Sequence, residues 1–163
     1  MYFFMILIYL LSFISLILLV LSGFEGVFKL NIYGGLFPTP LGFITALVYL
    51  FTEVLVMFFF VGTGVSIKEF VQNNKLDKSF HERSFQIKRK LYPPTLLNVL
   101  LIMTVFIIGG GVDTKVIPYW VHGGLFYISF FHFLKVKLVQ NKCFKDNTSI
   151  ILDMTGVSKK KIK

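Results

Sequence analysis

Residues 2–21 form a run of twenty with no charge, no proline and no glycine. At about 1.5 Å per residue, a helix of that length crosses the roughly 30 Å hydrocarbon core of a bilayer. Lipid supplies no water to the backbone, so such a run must pair its own amides, and a helix does this within one segment. A cleaved secretory leader is the competing reading. The basic segment that precedes a leader core is missing, and the run exceeds the usual core of about 7 to 15 residues. Leu21 is also a poor residue three positions before a cut at Gly23. The run reads as a retained helix.

Three more apolar segments follow, at 41–67, 94–111 and 118–136. Pro93 and Pro94 suit the first turn of the third, where a missing N–H costs nothing, and Pro118 opens the fourth. The fourth can run past Lys135, because a lysine stem lies along apolar surface while its head reaches water. Composition agrees, with 55% of residues hydrophobic and only 15% charged, where soluble domains carry about a quarter charged. The expected fold is all-α, an integral membrane four-helix bundle over residues 1–140 with a basic tail at 141–163.

The connectors set the orientation. Of the 17 Lys and Arg, seven lie in 68–92 and eight after Leu134, against one each (Lys29 and Lys115) in the other two connectors. Basic residues stay on the cytoplasmic side, so both termini are expected there. The setting is a bacterial inner membrane or a mitochondrial inner membrane, whose matrix takes the cytoplasm's place. The same distribution accounts for the net charge of +9 without a nucleic-acid partner. The lysines of the tail suit anionic lipid headgroups. Within 68–92, Ser79 and Glu82 match a capping box, and Leu76, Phe80, Ile87 and Leu91 recur at near-helical spacing. A short helix at the interface or an exposed helical linker is expected there.

Glu53 is the most informative residue, lying near the middle of the second segment. A carboxylate at that depth must be neutral, paired or facing a polar cavity. Thr104 or a histidine is a candidate partner. His122 and His132 both lie on the fourth segment, ten residues and so about 15 Å apart. They cannot be the two axial ligands of one haem iron, but each suits a separate group, and one of them should sit at the depth of Glu53. Gly123 and Gly124 suit close approach by another helix or a flat macrocycle. Gly62 and Gly64 suit helix packing. His81 reads as a surface histidine, and Asp113 as stabilising the outer turn. Cys143, the single cysteine, excludes an internal disulfide.

Three functions fit these residues. The first is a membrane-anchor or redox-accessory subunit of a respiratory-type complex, with b-type haem or quinone bound by His122, His132, Glu53, Gly123 and Gly124, and with His122 and His132 as metal ligands. The second is a structural or assembly subunit working with other membrane subunits or as a homo-oligomer. The third is a small proton-coupled transporter or channel that uses Glu53. No nucleophile motif, H-E-x-x-H sequence or Cys/His cluster points to a free-standing enzyme.

Overall fold

The computed structural model describes residues 2–28 and 40–156, and among these the regular structure is entirely α-helical. Four helices follow one another: α1 (Tyr2–Phe28), α2 (Pro40–Asn73), α3 (Ser79–Asp113) and α4 (Tyr119–Met154). The first connector with Lys29, and the final KKKIK, lie outside the described residues. Helices α1, α2 and α3 are long and apolar enough to cross a membrane. Helix α4 is more polar, carrying His122, His132, Lys135 and Lys137, and it returns antiparallel along α3.

Cross-helix contacts fix which ends lie together. Tyr9 of α1 donates to Asn141 Oδ1 of α4 at 2.9 Å. Cys143 Sγ of α4 lies 4.0 Å from the Ile87 carbonyl of α3, and Arg83 pairs with Asp153 at 3.1 Å. Ile67 and Val71 near the end of α2 join Ile87 and Ile150 in one apolar cluster. The start of α1, the end of α2, the start of α3 and the end of α4 therefore share one end of the bundle. That end carries the basic connector, as the distribution of lysine and arginine requires.

Every helix outruns the apolar segment that announced it. Helix α1 continues through Gly23, where a Cβ would stand 2.9 Å from the Phe126 ring of α4, so glycine there admits the neighbour. Only residues 74–78 of the basic connector form a turn, with Lys75 at φ 52°. Helix α3 begins at Ser79, and Pro93 and Pro94 lie inside it rather than in its first turn. Two missing N–H groups leave the carbonyls of Arg89 and Lys90 without their helical partners. Both sit in the basic stretch, where water and headgroups reach the backbone. The tail from 141 is helical to Met154 and buries Cys143, Phe144, Asn147 and Ile150.

The expected capping box does not form. Lys78 is already helical at φ −60° and ψ −19°, and Asp77 Oδ1 accepts the Ser79 N–H at 2.9 Å. Asp77 thus takes the capping role one turn residue earlier.

The helices pack through stripes that alternate three and four residues, the spacing of left-handed bundles. On α4 the buried positions are Ser129, Phe133, Val136, Gln140, Cys143 and Asn147. Helix α3 keeps the pattern except for an extra step of four from Leu91 to Thr95, across the two prolines. Cys143 sits in this stripe only 3% exposed. A maleimide is expected to leave it unmodified in the folded protein and to label it fully on denaturation; rapid labelling of the native protein would contradict the packing.

Candidate functional site

The buried stripes carry polar side chains in layers. Nearest the outer end, Ser22 and Thr45 join α1 to α2 at 2.9 Å. Deeper in, Ser15 and Thr52 do the same at 3.1 Å. At this middle level Asn98 of α3 links two more helices. Its Nδ2 donates to Tyr49 Oη of α2 at 2.6 Å, and its Oδ1 pairs with His132 Nδ1 of α4 at 2.9 Å. With the amide oriented so, the His132 Nδ1–H donates to Asn98 Oδ1.

One turn further toward the basic end lies Glu53, fully buried at 0% exposure. Its partner is Lys137 of α4, whose Nζ stands 2.7 Å from Glu53 Oε1. Gln140, one helical turn along α4, donates to the other carboxylate oxygen and also reaches Thr95 Oγ1 at 3.3 Å. The same ammonium donates to Gln140 Oε1 at 2.9 Å and to Ser12 Oγ of α1 at 3.1 Å. All three of its protons are engaged, and it also lies 5.3 Å from the centroid of the Phe133 ring, within cation–π range. Four helices therefore contribute to one charged cluster. In a low-dielectric setting an ion pair persists only when its remaining bonding capacity is met, and Gln140, Thr95 and Ser12 meet it here.

This arrangement corrects the expected partner of Glu53. Neither histidine bonds to the carboxylate, and Thr104 bonds instead to the carbonyl of Leu100 on its own helix. His132 belongs to the neighbouring layer through Asn98. His122 lies nearer the outer end, with Nε2 3.4 Å from where a Cβ on Gly109 would stand. A Cβ built on Gly123 or Gly124 would meet nothing within 4 Å among the described residues. Among the described residues no three His, Cys, Asp or Glu side chains converge on a common point. The five residues singled out from the sequence do not form one site.

Lys137, Gln140, Tyr49 and Asn98 are the residues that sequence reasoning missed. The signal for Tyr49, Asn98 and Gln140 was the three-four stripe, which on α4 continues unbroken through Val136, Gln140 and Cys143; Lys137 lies beside that stripe and had no such signal.

The ion pair has an opening. Helices α1 and α4 touch each other least among neighbouring pairs, and a series of grooves follows their seam. The middle groove, of about 210 Å³, has a mostly apolar lining that includes Ile8, Phe13, Leu16 and Phe133, with Ser12, Lys137, Gln140 and Asn141 also along it. An outer groove of about 360 Å³, lined by Leu19, Phe24 and Phe130 among others, continues the seam. Apolar walls around a few convergent polar groups are the usual make-up of a small-molecule site.

The hydrogen bonds along the middle groove bias what fits there. The Ser12 hydroxyl accepts from Lys137, and Asn141 Oδ1 accepts from Tyr9. The Ser12 O–H and the Asn141 amide N–H groups remain as donors. Comparison with family models, curated proteins and solved structures finds no match to this chain.

Proposed function

We propose that this chain is a membrane-embedded accessory subunit of a redox complex that holds a lipid-soluble quinone in the groove between α1 and α4. The observation that carries the reading is an apolar groove whose lining includes a few polar side chains, with donors at Ser12 and Asn141 unengaged among the described residues. A quinone ring presents two carbonyl acceptors and no donor, and its isoprenoid tail belongs in lipid. The head would accept from Ser12 and Asn141, while the outer groove along the same seam takes the first part of the tail. Lys137, held by Glu53, places a fixed positive charge beside the carbonyls, which favours the reduced, more electron-rich ring. A b-type haem finds less support, because neither groove is lined by His122 or His132.

A structural role in a larger assembly is the second reading. What favours it is the full satisfaction of the Glu53 cluster, because a closed polar network on four helices specifies their register. The proton-coupled reading is weakened by the same closure, with Glu53 engaged by both Lys137 and Gln140.

Photolabelling separates the two leading readings. The purified protein in lipid nanodiscs, illuminated with an azido-quinone, is expected to carry label on α1 near Ser12 and on α4 near Asn141. A non-reactive short-chain quinone should compete. Replacing Ser12→Ala and Asn141→Leu together should weaken competition about tenfold, as two neutral hydrogen bonds warrant. Label spread evenly over the helices, or label that no quinone displaces, would leave the structural role standing alone.

A further inference from the structure

We propose that Lys88 is the receiving group of a site for the headgroup phosphate of an anionic glycerophospholipid, set in the seam between α2 and α3 at the basic end. Three consecutive basic residues, Lys88, Arg89 and Lys90, begin the turn before the prolines of α3. Arg89 and Lys90 are exposed, whereas Lys88 is half-buried and turned against α2. Its ammonium lies where the Cβ of residue 64 would stand, and the glycine at that buried position leaves the room. Ser84 Oγ lies 3.4 Å from the same point.

Lys88 makes no hydrogen bond or ion pair among the described residues. An ammonium has three donors and no acceptor, and half-burying it without a partner is costly. No described residue supplies acceptors, so its donors are available to a ligand. Phosphodiester oxygens suit the place, because the site lies at headgroup depth. Ile87 is level with Cys143, and Lys142 and Lys145 flank that cysteine on α4, so basic side chains from two helices gather in one plane. Lys68, exposed one turn beyond Gly64 on the same face of α2, adds a second positive charge. Val61 and Val65 beside it are 45% and 48% exposed and offer apolar surface to acyl chains. Inorganic phosphate carries the same oxygens without the chains. The site does not depend on the quinone reading, since it occupies a different seam.

Native mass spectrometry of the detergent-purified full chain tests it, titrating dioleoylphosphatidylglycerol against dioleoylphosphatidylcholine. The unmodified chain is expected to retain phosphatidylglycerol selectively. Lys88→Gln should lower that retention about fivefold, the effect of one basic residue near a charged surface, while Lys90→Gln leaves it nearly unchanged. Gly64→Ala keeps every charge but puts a methyl where the ammonium lies, and it too should lower retention. Equal losses in Lys88→Gln and Lys90→Gln, full retention in Gly64→Ala, or displacement of the lipid by millimolar inorganic phosphate would each overturn the proposal.

Discussion

Replacing Lys137 with methionine is expected to destabilise the protein by about 3–5 kcal/mol, the usual loss when one partner of a buried ion pair is removed. Glu53 would remain at 0% exposure with only Gln140 beside it. The double replacement Glu53→Leu with Lys137→Met should recover most of that loss, because neither charge is then stranded. Glu53→Gln alone should be milder than Lys137→Met. The lysine side chain is 19% exposed and lines the α1/α4 groove, so its long stem can swing the ammonium toward the basic end. Denaturation of the unmodified chain, Lys137→Met, Glu53→Leu and the double variant in mixed micelles closes the double-mutant cycle. If the two single losses simply add in the double variant, the pair is not coupled and the cluster has been misread.

A comparable loss, about 3–5 kcal/mol, is expected for Phe144→Ala. This ring is 3% exposed, and its centroid lies 5.0 Å from Phe59, 5.0 Å from Phe60 and 5.5 Å from Tyr9. Truncation opens a cavity where α1, α2 and α4 meet, and helices joined on three sides have little freedom to collapse into it. Phe144→Leu should retain much of the stability. Phe131→Ala is the control, since that ring is 66% exposed and already faces outward, so its loss should leave unfolding almost unchanged. Equal effects at 144 and 131 would place Phe144 outside the core.

Much of the architecture was legible in the residues because the constraint is coarse. Long uncharged runs and a one-sided distribution of lysine leave few alternatives to antiparallel helices with the basic connector at one end. What misled was treating polar residues as boundary marks. Lys137 was counted with the charges that stay at the surface, yet Glu53 on α2 gives it a reason to point inward, and no single-helix pattern reveals a partner 84 residues away. Pro93 and Pro94 were read as a start because an interior proline normally disrupts a helix. Here the freed carbonyls lie among basic side chains near the interface, where the penalty is smaller. Gly123 and Gly124 suggested a close neighbour, and no described residue of this chain comes within 4 Å of a Cβ built on either.

The basic end also places the bundle in two solvents. Beyond the plane of Lys88 and Lys142, α3 extends by nine further residues and α4 by twelve, or about 14 and 18 Å, tied to the end of α2 by Val71, Ile87 and Ile150. Oily side chains in that stub are driven together by water, a force that vanishes among acyl chains. When detergent strips the bilayer away, the stub keeps its adhesive while the middle of the bundle loses its surroundings. It is therefore expected to hold the ends of three helices in register until lipid returns.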